Sequence, residues 1–90
     1  MVKDKVIIVT GAARGLGQKY SIEFAKAGAS IVFADISDCS DTELKIGEIS
    51  KNYLNLTLDV TNLESCNSMM QKAVEKFGTI DVIVNNDALY

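Results

Sequence analysis

Val6-Ile7-Ile8-Val9-Thr10-Gly11-Ala12-Ala13-Arg14-Gly15-Leu16-Gly17 is the stretch on which the fold of this chain turns. Its first four residues are a continuous β-branched run, the texture of a strand buried on both faces. The chain holds six glycines in 90 residues, and three of them cluster at positions 11, 15 and 17. Gly11 permits a sharp turn, and Gly15 lets the backbone approach a ligand with no β-carbon in the way. Gly17 allows the following helix to pack close to the sheet. That helix is marked by Leu16, Tyr20, Phe24 and Ala27, which recur at spacings of four, four and three as one apolar stripe. Gly28 stands where a left-handed residue ends it. The free amides and positive dipole end of such a helix make a site for a pyrophosphate. A glycine-rich turn with no ligand is the plainer reading, and the strand, loop and helix around it argue against that.

The same pattern repeats downstream. Ile31-Val32-Phe33-Ala34 reads as a second buried strand ending in Asp35, 18 residues after Gly17. An acidic side chain at that strand end accepts hydrogen bonds from an adenosine ribose; in isolation it is an ordinary solvated carboxylate. Ser40 and Glu43 suggest a capping box for a second helix running to about residue 51, with Gly47 weakening its middle. Leu54, Leu56, Leu58 and Val60 alternate with polar residues, as in a half-exposed strand. Thr61 and Glu64 suggest another capping box. Behind it Leu63, Cys66, Met70, Ala73 and Phe77 form a helical stripe that stops at Gly78. Ile80 and Val82-Ile83-Val84 then give a fourth strand. Strands alternating with helices pair in parallel. Three strands are apolar throughout and one alternates, so the third is expected at an edge. The expectation is an α/β chain with three helices and a parallel four-stranded sheet ordered 3-2-1-4, half of a doubly wound fold. The fourth strand has the composition of an interior strand with nothing beyond it. On this reading, residues 1–90 are the first part of a longer domain.

Composition removes several classes. Hydrophobic residues make up 48% and charged residues 23% of the chain, which is globular rather than disordered. Nine basic against twelve acidic side chains leave no basic face for nucleic acid. No apolar run approaches the ~18 residues of a membrane span, and the first residues lack a signal-peptide core. Cys39 and Cys66 form neither a disulfide framework nor a metal-ligand spacing, and histidine is absent. They read as a loop thiol and a core thiol. The balance points to a cytoplasmic protein with reduced thiols. Met69 and Met70 read as helix packing, and Lys72, Glu75 and Lys76 as a solvated helix face.

Three segments together resemble the short-chain dehydrogenase/reductase family, in its single-domain branch. Thr10-Gly-x-x-x-Gly15-x-Gly17 is similar to that family's coenzyme loop. Leu58-Asp59-Val60 is similar to the segment that contacts the adenine ring, and Asn85-Asn86 to the start of an Asn-Asn-Ala-Gly motif. They occur in the family's order and span nearly the whole chain. The resemblance implies the N-terminal part of one NAD(P)-binding Rossmann domain. Its cofactor-binding residues would be Gly11, Arg14, Gly15, Leu16, Gly17, Asp35, Ile36, Asp59, Val60 and Asn86. It also implies an oxidoreductase that moves hydride between a nicotinamide coenzyme and an alcohol or ketone, with the full-length family member a homo-oligomer. Asp35 favours NAD over NADP, because it would face the 2′-phosphate; Arg14 pulls the other way.

The departures are as informative. Asp87 stands where the family usually has alanine, and Ala88 where it has glycine. Asp87 either faces the coenzyme, where its charge opposes binding, or points to solvent as a tolerated substitution. The family's chemistry resides in a Ser and a Tyr-x-x-x-Lys segment. Here Tyr20 is followed four residues later by Phe24 and Tyr53 by Thr57, so no catalytic residue is assigned. Two alternatives therefore stand beside the enzyme reading: a non-catalytic truncated fragment, and a stand-alone nucleotide-binding module. The 90 residues alone are expected to be inactive, to self-associate or pack loosely, and to bind NAD weakly if at all.

Overall fold

The computed structural model describes residues 2–86. Met1 and residues 87–90 lie outside that range, and with them the expectations for Asp87 and Ala88. The elements follow in the order β1 (Val6–Thr10), α1 (Gly15–Lys26), β2 (Ser30–Asp35), α2 (Ser40–Gly47), β3 (Tyr53–Thr57), α3 (Leu63–Phe77) and β4 (Val82–Val84). All strand pairs are parallel and the sheet order is β3-β2-β1-β4, as the strand textures imply. β1 and β2 pair in a register that sets Ile7 beside Ile31 and Val9 beside Phe33.

The sheet is the middle of three layers. Ile7, Val9, Ile31 and Phe33 face Ala25 of α1 and Ile46 of α2. Ile8, Val32 and Ala34 face Met69 and Ala73 of α3. Alternate residues of one strand thus enter opposite cores, which is why β1 and β2 show no polar alternation. Burial of both faces places the ends of β1 and β2 at the centre of the molecule, where the glycine loop emerges.

α1 packs by a face other than the expected stripe. Gly17, Ser21 and Ala25 are buried, while Leu16 and Tyr20 are exposed and Phe24 is half-buried. The helix starts so close to the sheet that only small residues fit beneath it. The Ser21 hydroxyl is accommodated there by donating to the Gly17 carbonyl at 2.8 Å. Gly28, at φ 94°, does close the helix, with its amide donating to the Ala25 carbonyl.

Neither expected capping box forms. Ser40 lies inside α2, and its amide and hydroxyl both donate to the Asp38 carboxylate. Glu43 accepts instead from Asn55 Nδ2, across to β3. α2 also stops at Gly47 rather than near residue 51, because no buried residue follows Ile46 to offset the glycine. At α3 the cap is Asn62, whose side chain accepts from the Ser65 amide at 3.0 Å. Thr61 is diverted: its hydroxyl donates to Asp59 Oδ1 at 2.6 Å. Gly78 ends α3 in the left-handed conformation, as the sequence suggests. Leu63 is exposed and Met69 takes its expected place in the core.

β3 is shorter than the alternating leucines suggest, ending at Thr57, with Leu58 buried beyond it. Cys39 is the more buried thiol, packed among the α1 and α2 contacts, and Cys66 is half-buried beside α3. Lys76 is more than a solvated charge: its Nζ donates to the Tyr53 carbonyl at 2.7 Å on the outer edge of β3. At the opposite edge Val82 and Ile83 are 42% and 48% exposed, and among the described residues no strand pairs with their far side. An apolar strand with free backbone groups adds further strands. The 90-residue chain is therefore expected to sediment as a dimer or larger, and Ile83→Lys to shift it toward monomer. A compact monomer for the unsubstituted chain would overturn this expectation.

Candidate functional site

Residues from β1, β2, α1, α2 and the end of β4 converge around Gly11 to Gly17. Gly11 and Gly15 both lie in the left-handed region, at φ 66° and 62°. The two have different neighbours to Gly17. A β-carbon on Gly15 would meet no atom within 4 Å, so conformation alone requires glycine there. A β-carbon on Gly17 would collide with the Gly11 carbonyl and lie 2.9 Å from Asn86 Nδ2. Glycine is needed at position 17 for space.

Arg14 occupies the N-cap of α1 in extended conformation, with no side-chain cap and no acidic residue in the first turn. The positive end of the helix is therefore uncompensated by the side chains of its own first turn. The loop before it is held firmly. The Asp35 carboxylate, nine-tenths buried at the end of β2, accepts from the Ala13 amide at 2.9 Å and from the Ser37 amide at 2.9 Å. Each carboxylate oxygen keeps a further lone pair for another donor. Ile36 beside it is exposed.

The Asn85-Asn86 pair ties β4 to β1. The Thr10 hydroxyl donates to Asn85 Oδ1 at 3.0 Å and accepts from the Asn86 amide at 3.1 Å. Asn86 Nδ2 donates to the Gly11 carbonyl at 3.3 Å. Asn86 thus supports the glycine turn through its side chain. Asp59 and Val60 follow β3. The Asp59 carboxylate accepts from both the hydroxyl and the amide of Thr61, and the hydroxyl chiefly holds its pKa below the ordinary 3.8. Its amide donates to the Ser65 hydroxyl, locking the turn into α3.

Two residues that sequence reasoning passed over complete the loop's support. Thr42, fully buried at the start of α2, donates its hydroxyl to the Ala12 carbonyl at 2.7 Å. Gln18 Nε2 reaches the Ala13 carbonyl, the Thr42 hydroxyl and Asp41 Oδ2. That last bond, with Lys45 beside it, lowers the Asp41 pKa. Periodicity carries no signal for either residue, since their partners lie on the loop and on another element, up to 30 positions away. An open cleft of about 640 Å³ lies at the β3 edge, lined by Glu43, Lys51, Tyr53, Asn55 and Lys76 among others. No glycine-loop residue lines it, and Glu43 is engaged there with Asn55 and with the Tyr53 hydroxyl, whose pKa it raises.

A parallel sheet in this order, with a glycine turn feeding a helix at its centre, defines a Rossmann-type half. The family model described as short chain dehydrogenase matches residues 5–89. This chain belongs to the short-chain dehydrogenase family. It is 34% identical over 94% of its length to 2-dehydro-3-deoxy-D-gluconate 5-dehydrogenase of Dickeya dadantii (strain 3937), and covers 34% of that protein. Hydroxysteroid dehydrogenase from Escherichia coli superposes with a TM-score of 0.92 at 30% identity, over 98% of this chain and 38% of that one. Carveol dehydrogenase from Mycobacterium avium, solved in complex with NAD, gives 0.91 at 26% identity, over 98% and 37%. The chain thus spans about a third of the length of these relatives. No helix among the described residues is long and apolar enough to cross a membrane.

The two glycines should separate in a stability experiment. Gly15→Ala forces a left-handed alanine at about 1–2 kcal/mol. Gly17→Ala drives a methyl into backbone and is expected to cost about 3 kcal/mol or more. Urea midpoints measure both; equal shifts would contradict the steric assignment.

Proposed function

We propose that residues 1–90 form the coenzyme-binding part of a short-chain oxidoreductase that moves hydride between NAD and an alcohol or ketone. The observation that carries this reading is the Asp35 carboxylate held against the Ala13 amide, at the mouth of a helix start without a side-chain cap. The donor set fits a dinucleotide. Backbone amides at Gly15, Leu16 and Gly17 offer an anion their hydrogens and the helix dipole. Open space on the Cβ side of Gly15 leaves room for a close approach. Asp35 has lone pairs left for ribose hydroxyls, and the exposed Ile36 supplies an apolar surface beside it. Asp59 and Val60, at the next strand end, would bound the adenine side, while Arg14 would lie over the phosphates. Asn86 serves by bracing the Gly11 turn.

When bound, the coenzyme accepts or delivers the hydride. Within these residues nothing takes the substrate proton, since no Tyr-x-x-x-Lys segment occurs in the sequence. The 90 residues alone are therefore proposed to bind without turnover, the carbinol or carbonyl substrate being handled elsewhere in a longer polypeptide. Two cysteines in 90 residues, without the spacing of a disulfide framework, support a cytoplasmic setting.

Coenzyme choice follows from charge. Two like unit charges about 4 Å apart repel by roughly 4 kcal/mol at an effective dielectric of 20, before salt screening. A 2′-phosphate beside Asp35 meets that repulsion, and Arg14 offsets part of it. NAD is expected to bind at least tenfold more tightly than NADP, and Asp35→Ser to narrow the gap by relieving the repulsion of NADP as well as by weakening NAD. Isothermal titration or magnetic-resonance titration with both coenzymes decides it; tighter NADP binding by the unsubstituted chain would reverse the assignment.

A further inference from the structure

We infer that Thr42 of α2 is a positioning residue for coenzyme discrimination, acting chiefly through the Ala12–Ala13 peptide group of the glycine loop, with a longer contact of 3.4 Å to the Ala13 carbonyl. The inference rests on the coenzyme reading above and adds a residue that is not among those proposed to contact the coenzyme. The Ala12 carbonyl and the Ala13 amide belong to one peptide unit. In a trans peptide these two groups point in opposite directions from one plane. The Thr42 hydroxyl donates to the carbonyl at 2.7 Å, and Asp35 Oδ2 accepts from the amide at 2.9 Å. Thr42 and Asp35 therefore grip the same plane from opposite sides. Rotation of that plane breaks both bonds together, so the orientation set by Thr42 is also the one that fixes the Asp35 carboxylate.

Other contacts reinforce the grip. Gln18 Nε2 donates to the Thr42 hydroxyl at 3.0 Å, which leaves the hydroxyl proton for the Ala12 carbonyl. The same amide group reaches the Ala13 carbonyl at 3.3 Å, on the next peptide. Upstream, the Ala12 amide donates to the Ala34 carbonyl, one residue before Asp35. Thr42 and Ala12 are both fully buried, so water cannot replace the hydroxyl if it is lost. With the valine isostere, the Ala12 carbonyl becomes an unpaired buried acceptor. The peptide then has reason to turn toward another donor, and Asp35 loses one of the two amides that hold it, keeping only that of Ser37 on its other oxygen.

The test is a magnetic-resonance titration of the 90-residue chain with NAD and with NADP, a method that reads dissociation constants into the millimolar range. Thr42→Val, Thr42→Ser and Gln18→Leu are compared with the unsubstituted chain, with circular dichroism confirming the fold of each. An unsatisfied buried acceptor costs enough to change an equilibrium by roughly tenfold or more. Thr42→Val is expected to narrow the NAD-to-NADP ratio roughly tenfold, Gln18→Leu to narrow it less, and Thr42→Ser to restore it. A residue that merely stabilises the fold would weaken both coenzymes alike and leave the ratio unmoved. A folded Thr42→Val chain with an unchanged ratio, or failure of serine to restore it, overturns the inference. If the valine variant does not fold, the unsubstituted chain still decides. Its Ala13 amide must exchange its hydrogen with solvent more slowly than the same amide in Asp35→Ala, and equal exchange in the two overturns the shared-peptide grip. Absence of any coenzyme effect in the unsubstituted chain removes the coenzyme reading itself, and this inference with it.

Discussion

The close approach of Gly17 to the carbonyl of Gly11 sets the rest of the molecule. A helix that begins this near the strand feeding it can present only small residues to the sheet, and α1 buries glycine, serine and alanine at four-residue intervals. Leu16 and Tyr20 are turned outward as a consequence, while Ile22 and Phe24 pack at the margin of the core. The same approach leaves the first turn of α1 at the carboxyl ends of β1 and β2, the crevice where ligands of doubly wound folds bind. Helix dipole, glycine loop and the Asp35 carboxylate meet there because one steric contact fixes the helix axis relative to the sheet.

That geometry needs a loop that does not relax, and the loop is built accordingly. Between Thr10 and Gly15 the backbone is held by groups from every neighbouring element: Asn86 on Gly11, Thr42 on Ala12, Gln18 and Asp35 on Ala13. Among the described residues no buried side-chain polar atom lacks a partner. A fully satisfied polar network of this kind specifies one arrangement, because each alternative leaves some buried group unpaired. The Asn85-Asn86 segment, whose Asn86 the sequence offers as a coenzyme contact, also braces β4 against the glycine turn.

Much of this was legible in the amino-acid sequence, and the boundary has a physical cause. β1 and β2 were plain because burial on both faces leaves no polar residue in the run, and Gly28 and Gly78 because a left-handed residue at a helix end strongly favours glycine. The sheet order followed from the one strand whose texture differed. Packing faces were less legible. Leu16, Tyr20 and Phe24 have perfect helical spacing, yet Leu16 and Tyr20 are exposed, Phe24 packs only at the margin of the core, and Gly17, Ser21 and Ala25 make the close contact. Caps failed for a similar reason: Ser40 and Thr61 were each claimed by an aspartate two residues earlier, a competition invisible to a four-residue motif. Thr42 and Gln18 were illegible altogether, since side chains bonded to loop backbone and to one another across elements leave no periodic trace.

The two edges of the sheet are chemically unlike, and the difference bears on how such a half-sheet is used. At β3 the outer edge carries Asn55 and Thr57, and Lys76 Nζ occupies the Tyr53 carbonyl with its charge near the Tyr53 ring, 6.0 Å from the centroid. A lysine over an edge carbonyl makes addition of another strand unfavourable, because its ammonium would have to be displaced and resolvated. β4 has no such guard among the described residues: Val82, Ile83 and Val84 are all apolar, and the first two stand exposed on opposite faces. Side chains of this kind on both faces of an edge strand are suited to a layer on each side, as β1 and β2 already have. The sheet therefore has a direction written into it, closed to growth at β3 and receptive at β4. The glycine loop stands between the two, over β1, the strand that a continuing sheet would place nearest its middle.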